Sequence, residues 1–376
     1  MFGDFAEVRG VGCSVNRETS IYLDLVRFTA AITVLLSHLG ASRFTGGFLW
    51  QIGPYGDEAV DVFFVLSGFV IAYVAGRSET NISSYTVARL ARIYSVALPA
   101  LVATFALDAL GRLIRPDLYS ASWGYVAEDQ IQQFLAGLFF VNRIWGHWIK
   151  QGSDVSYWSL GYEVWYYIFF AAAVFGRGRW KVVCVIAAVC IAGPDILSLF
   201  PLWLLGVGCY HLCKRNALSA KAGALLWLSP LVVWIGYEIW AWHHLMRGDG
   251  PAPEALFHRP QILQDYLIAT LFALHLVGFR AFSAKLSAIL NRAEPAIRWA
   301  AGATFTIYLF HFPVAQFLRT LIPWPPSNWA TRAVILGVTL ATMFLIAEIT
   351  ERQKEPWRKI FEAIIARRQR AVSSVP

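Results

Sequence analysis

Charge is scarce in this chain. Of its 376 residues only 15% are Asp, Glu, Lys or Arg, where a water-soluble domain carries about a quarter. That shortfall excludes an ordinary soluble enzyme, and with 57% hydrophobic residues the bilayer is the better solvent. Cysteine is sparse too. Cys184, Cys190, Cys209 and Cys213 lie in or at the ends of apolar segments, and Cys13 stands alone near the N-terminus. Cys209 and Cys213 are one helical turn apart with no second ligand pair, so neither a zinc site nor a disulfide framework is expected, and no metal is assigned. The first eighteen residues lack an apolar core followed by a small-residue cleavage site, so the first hydrophobic stretch is expected to be a retained span. Also missing are an internal repeat and a Pro/Ser-rich linker to a second domain. The net charge of +8 does not point to nucleic acid. Its basic residues are scattered in short loops and a C-terminal tail, where anionic lipid and the positive-inside rule account for them.

What is abundant is apolar sequence in runs near twenty residues. Such runs predict an all-α, polytopic transmembrane bundle with spans at 19–39, 60–76, 93–112, 157–175, 181–198, 201–213, 222–243, 263–282, 299–320 and 330–350. Trp, Tyr and Phe suit interfacial belts and a packed bundle. The apolar piece at 131–142 is too short to cross and reads as re-entrant or interfacial. With the N-terminus inside and that piece uncrossed, twenty-two Lys and Arg fall on the inner side and eight on the outer, with Arg27 and Arg332 inside helices. Both termini are therefore expected in the cytoplasm. The expected organisation is a cytoplasmic segment 1–18, a membrane domain 19–350 and a basic cytoplasmic tail 351–376.

An ionisable group inside a span is expensive and calls for a reason. In the first span Asp24, Arg27 and His38 share one helical face, with His38 about 16 Å further out than Arg27. An Asp24–Arg27 pair that merely fixes the helix accounts for the first two equally well. The second span, DVFFVLSGFVIAY, holds Asp61 near its outer end; Ser67 and Gly68 in its middle read as close helix packing. Glu163 sits among Trp158, Tyr162, Trp165, Tyr166 and Tyr167, where a belt explains the aromatics but not the carboxylate. Tyr308 and His311 are one turn apart in the ninth span. His38, Asp61, Glu163 and His311 thus come from four helices at similar expected depth, and such a convergence points to a site.

In the order of these residues the sequence resembles the acyltransferase-3 family of integral membrane acyltransferases. Its marks are Arg27 and His38 with ten residues between them, DVFFVLSGF at 61–69, RLARIY with Arg89 and Arg92, YWSLGYEVWYY at 157–167, YLFHFPV at 308–314 and Glu355-Pro356. The resemblance implies transfer of an acyl group, commonly acetyl from acetyl-CoA, from a cytoplasmic acyl-CoA co-substrate to a hydroxyl of a carbohydrate or glycolipid acceptor across a bacterial cytoplasmic membrane. On that reading Arg89 and Arg92 meet the CoA phosphates at the inner boundary and Arg27 lines the donor path. His38 is the expected general base, with a covalent acyl-histidine as the variant. Glu163 is expected to orient the imidazole or the acceptor, Tyr308 or His311 to donate to the oxyanion, and Asp61 to lie at the depth of His38. The competing class is a transporter or flippase that uses the same buried charges without acyl chemistry. Members of the family often carry a further extracytoplasmic hydrolase-like domain, and no counterpart is expected within these 376 residues.

Overall fold

A computed structural model describes residues 15–215, 218–247 and 261–373. Arg9, Cys13, Arg259 and most of the expected 1–18 segment lie outside the described residues. Among the described residues the regular structure is helical, with one isolated bridge between Gln151 and Asp154, so the all-α class holds.

The main helices are α1 (Arg17–Leu39), α2 (Tyr55–Ala75), α3 (Ile82–Ile114), α4 (Gln130–Leu138), α5 (Trp158–Phe175), α6 (Gly178–Ala192), α7 (Phe200–Arg215), α8 (Ala220–Arg247), α9 (Ile262–Phe282), α10 (Ser287–Ala301), α11 (Thr304–Leu321), α12 (Thr339–Ile349) and α13 (Lys354–Ser373). Seven helical stretches among the described residues are long and apolar enough to cross a membrane, against the ten spans expected. The other three expected crossings fall on α5, α6 and α11. Tyrosine, tryptophan and glutamate dilute α5, while α6 has 15 residues and rises only about 22 Å. α11 carries His311, Pro313, Gln316 and Arg319. α4, with 9 residues, is about 14 Å long and does not cross. α3 has 33 residues, about 50 Å, so the RLARIY stretch continues the helix that the sequence reading began only at 93.

The chain forms two compact units. The first comprises residues 1–30, 57–73 and 197–301. Here α2 crosses α7 at a pair of glycines: a Cβ on Gly68 would stand 1.9 Å from the Trp203 carbonyl oxygen, and one on Gly206 1.9 Å from that of Val65. Trp203 donates its indole N–H to the Ser67 hydroxyl at 3.2 Å. The small residues of the SGF stretch therefore serve helix contact, as read from the sequence. Asp24 and Arg27, for which a pair that merely fixes the helix is one of the two expectations, join a larger network. Arg298 of α10 donates to Asp24 at 2.5 Å and to Ser20 at 2.9 Å, whereas Arg27 stands 3.7 Å from Asp24. Arg17 and Arg298 share Glu294.

The second unit comprises residues 31–56, 74–196 and 302–376. α11 is buried on nearly every side from Thr304 to Gln316, its polar side chains included, and packs against α3 and α12. The basic C-terminal segment is helix α13, which lies on α3 with Phe361 5.8 Å from Tyr94. The loop leading into α5 is pinned from α3: Asp108 accepts from the Ser153 hydroxyl at 2.6 Å and its backbone N–H at 2.8 Å. At Gly152, φ is +54° and a Cβ would stand 2.4 Å from the Asp108 carboxylate, so only glycine fits there.

Candidate active site

α1 ends one turn after Leu36, and its last turn is clamped from the following loop. The Ser37 hydroxyl donates to the Gly53 carbonyl at 2.9 Å, and Gly40 leaves no room for a side chain beside the Leu49 carbonyl. Between them stands His38, half-buried, with its Nδ1 2.8 Å from Nε2 of the fully buried His311 of α11. The two rings lie 7° from parallel. Nδ1 of His311 is 2.8 Å from the Ile307 carbonyl oxygen.

This chain fixes the tautomers of the neutral pair. A carbonyl only accepts, so the proton of His311 sits on Nδ1 and its Nε2 presents a lone pair. His38 then donates through Nδ1–H, and its own Nε2 is left with the lone pair. The more exposed ring of the pair thus offers the basic nitrogen, and the buried ring holds it in that form.

Tyr308, one turn before His311, shares a 2.6 Å hydrogen bond with the Ser159 hydroxyl of α5, which sets the register of α5 on α11. Glu163 lies one turn further along α5 and accepts from the Tyr167 hydroxyl. Tyr167 in turn faces Arg89, whose guanidinium is 5.7 Å from both the Tyr167 and Tyr85 rings. The structure therefore groups Glu163 with Tyr167 and Arg89, where the sequence reading expected it to orient the imidazole or the acceptor. Arg89 is itself buried and paired with Glu79 at 2.5 Å. Burial lifts the Glu79 carboxyl above its ordinary range, and Arg89 opposes that shift. Arg92 is half-buried on the same helix. Arg27 and the fully buried Asp61 belong to the first unit. Of the eight residues expected to meet near one depth or along one path, His38 and His311 are joined directly and Glu163 is grouped with Arg89, while the Tyr308 hydroxyl, one turn before His311, is engaged by Ser159.

Sequence reasoning missed the direct bond between the two histidines, since two residues 273 apart carry no periodic signal. It also passed over Arg43, Trp123 and Phe312. Arg43 counted only as one outer-loop cation, yet its guanidinium stacks 3.7 Å from the Trp123 ring.

A family model described as an acyltransferase domain matches residues 20–348 of the chain. The chain is 29% identical over 195 residues to an O-acetyl transferase of Shigella phage Sf6, an alignment covering 48% of this chain and 56% of that protein. It is also 29% identical over 195 residues to the acyltransferase MdmB of Streptomyces mycarofaciens, covering 47% of this chain and 46% of that protein. The chain thus spans about half the length of these curated relatives. No solved structure matches it. With the family model covering nearly its whole length, the chain belongs to the acyltransferase-3 family.

Proposed function

We propose that this protein is a multi-pass membrane acyltransferase that moves an acyl group, acetyl in the simplest case, from cytoplasmic acyl-CoA to a hydroxyl of a carbohydrate or glycolipid acceptor. The observation that carries the reading is the Ile307–His311–His38 chain, which leaves a lone pair on the half-buried His38 Nε2. That nitrogen takes the proton of the acceptor hydroxyl as its oxygen attacks the thioester carbonyl. A tetrahedral oxyanion forms, the C–S bond breaks, and the CoA thiolate leaves with the proton returned by His38. His311 accepts the Nδ1–H throughout and so stabilises the imidazolium while it lasts.

The donor enters from the Arg92 side. Arg89 is committed to Glu79 and shapes that wall through Tyr85 and Tyr167. In the expected topology α5 runs inward and α11 outward. With the Ser159–Tyr308 bond as a common level, Glu163 falls one turn inward and His311 one turn outward, about 10 Å apart in depth, where the sequence reading expected similar depth. Glu163 accordingly belongs to the thioester path and His38 to the meeting point of donor and acceptor.

His38→Ala in purified, folded protein tests the reading, with transfer from radiolabelled acetyl-CoA to membrane glycans as readout. Loss of a general base costs ~10²- to 10⁴-fold in rate, while the elution profile and unfolding temperature stay near wild type. Near-normal turnover by folded His38→Ala refutes the mechanism.

A further inference from the structure

Just beyond α1 a one-turn helix, Ser42–Thr45, carries Arg43 into an aromatic cage. The guanidinium carbon is 3.7 Å from the Trp123 ring, 4.8 Å from Phe44 and 5.5 Å from Phe312. Its Nη2 donates to the Gln316 side-chain oxygen, and Gln316 is held in turn by donating to the Leu118 carbonyl at 2.8 Å. Nη1 is buried and has no hydrogen-bond partner. Among the described residues no carboxylate stands within ion-pair distance of Arg43. A second orphan donor lies nearby: the Tyr119 hydroxyl is also buried without a partner. Burial raises the Tyr119 pKa, with the neighbouring Arg43 opposing the shift, so the hydroxyl keeps its proton. It is seated against Gly111, where a Cβ would meet the oxygen at 2.1 Å.

A half-buried guanidinium without a carboxylate partner and with one buried N–H unsatisfied is costly, and an anion would complete it. Burial lowers the Arg43 pKa only to about 10, so the group stays a cation at neutral pH. The cage adjoins the histidines through a single ring, since Phe312 lies 5.6 Å from His38 and 5.5 Å from Arg43. Trp123 contributes a flat aromatic face of the sort on which sugar rings stack, with the Tyr125 ring 5.5 Å away.

Resting on the acyl-transfer reading, we propose that Arg43 is an anion-recognition residue of the acceptor site. Its free Nη1–H, backed by the Trp123 face, binds a carboxylate or phosphate on the sugar whose hydroxyl is presented to His38. The enzyme would therefore select acidic or phosphorylated sugars over neutral ones. Arg43 acts on substrate choice and does not move a proton.

Ligand-observed NMR titrations of the full chain in detergent test this without requiring turnover, using glucuronate, glucose 1-phosphate, glycerol 1-phosphate and glucose. At least one of the two anionic sugars is expected to bind about 10- to 100-fold tighter than glucose, the value of one charge-assisted hydrogen bond. Arg43→Gln should erase that difference, and Arg43→Lys should keep part of it. Equal affinity of the wild type for charged and neutral sugars overturns the proposal even if Arg43→Gln fails to fold. So does a preference that survives in folded Arg43→Gln. Glycerol 1-phosphate binding as tightly as glucose 1-phosphate, with glucuronate no better than glucose, would make this a lipid-headgroup site and equally overturn an acceptor role. A wild type that prefers anionic sugars but transfers no acyl group refutes the acyl-transfer reading alone.

Discussion

His311 differs from His38 in what it can do: it is fully buried and both its ring nitrogens are engaged, one by Ile307 and one by His38. In the proposed mechanism it therefore serves as a positioning residue, and its removal should cost less than removal of the base. His311→Ala is expected to lower kcat by about 10- to 100-fold, the value of one hydrogen bond to a group that becomes charged. A displaced acid limb in the pH profile of kcat/KM separates this role from packing, because a cavity alone would lower the folded yield and leave the limb in place. Glu163→Gln should behave differently. Its carboxylate accepts from Tyr167 beside Arg89, so the change belongs in the donor KM, with the acid limb unmoved. If Glu163→Gln moved the acid limb as His311→Ala does, the grouping with Arg89 would be wrong. The individual titratable residues were legible in the sequence because membrane burial makes each conspicuous. Their pairing was not, since it depends on the helix register set by Ser159 and Tyr308, two hydroxyls that nothing in the spacing singles out.

At the level of elements, two contacts carry distinct expectations. The Gly68–Gly206 crossing brings the α2 and α7 backbones so close that a methyl would meet a carbonyl oxygen at 1.9 Å. Gly68→Ala is expected to destabilise by about 1–3 kcal/mol, read as a lower unfolding temperature in detergent; an unchanged temperature would deny the close crossing. The Arg89–Glu79 pair joins α3 to the segment following α2. Removing either partner leaves a buried charge, so Arg89→Met and Glu79→Met should each cost about 3–5 kcal/mol. The double variant should recover much of that loss, giving a positive coupling in a double-mutant cycle. If the double variant folds and still binds acyl-CoA, the donor phosphates are held by Arg92 and not by Arg89. Because burial raises the folded pKa of Glu79, the fold binds its proton more readily than the unfolded chain does. This group's contribution to stability therefore falls as pH rises from the ordinary glutamate range through the folded value, and is level above it. Sequence hydropathy located these helices well where they are uniformly apolar. It failed at ends such as residues 82–92 of α3, where Ser, Thr and Arg hide a continuing helix, and at 299–301. Those three residues complete α10, and a break at Gly302 and Ala303 separates them from α11.

Across the whole molecule, the proposed transfer requires that a cytoplasmic donor and an outward acceptor meet at His38, which makes orientation in the membrane the premise of that mechanism. The expected orientation rests on the basic residues, twenty-two on one side and eight on the other in the ten-span reading, and the described helices are compatible with it. α4, at 9 residues, is too short to reverse the chain. Arg177, Arg179 and Lys181 flank the start of α6, and Lys214 and Arg215 close α7; each cluster stands at the end that the expected topology puts inside. Arg43 and Trp123 then fall on the outer side with the last turn of α1, where an acceptor would arrive. Reporter fusions after Pro376 and within the segment between α8 and α9 should therefore give opposite compartments, with the first in the cytoplasm. Were both to report one side, the number of crossings between Ile262 and Ile349 would be even instead of the expected odd count. His38 and Arg92 would keep their places in the bundle, but the direction of transfer would have no support. A fusion after Pro376 that reported the outer compartment, with the α8–α9 segment inside, would invert the mechanism: Arg92 would face the acceptor's side and the anion subsite at Arg43 would face the cytoplasm.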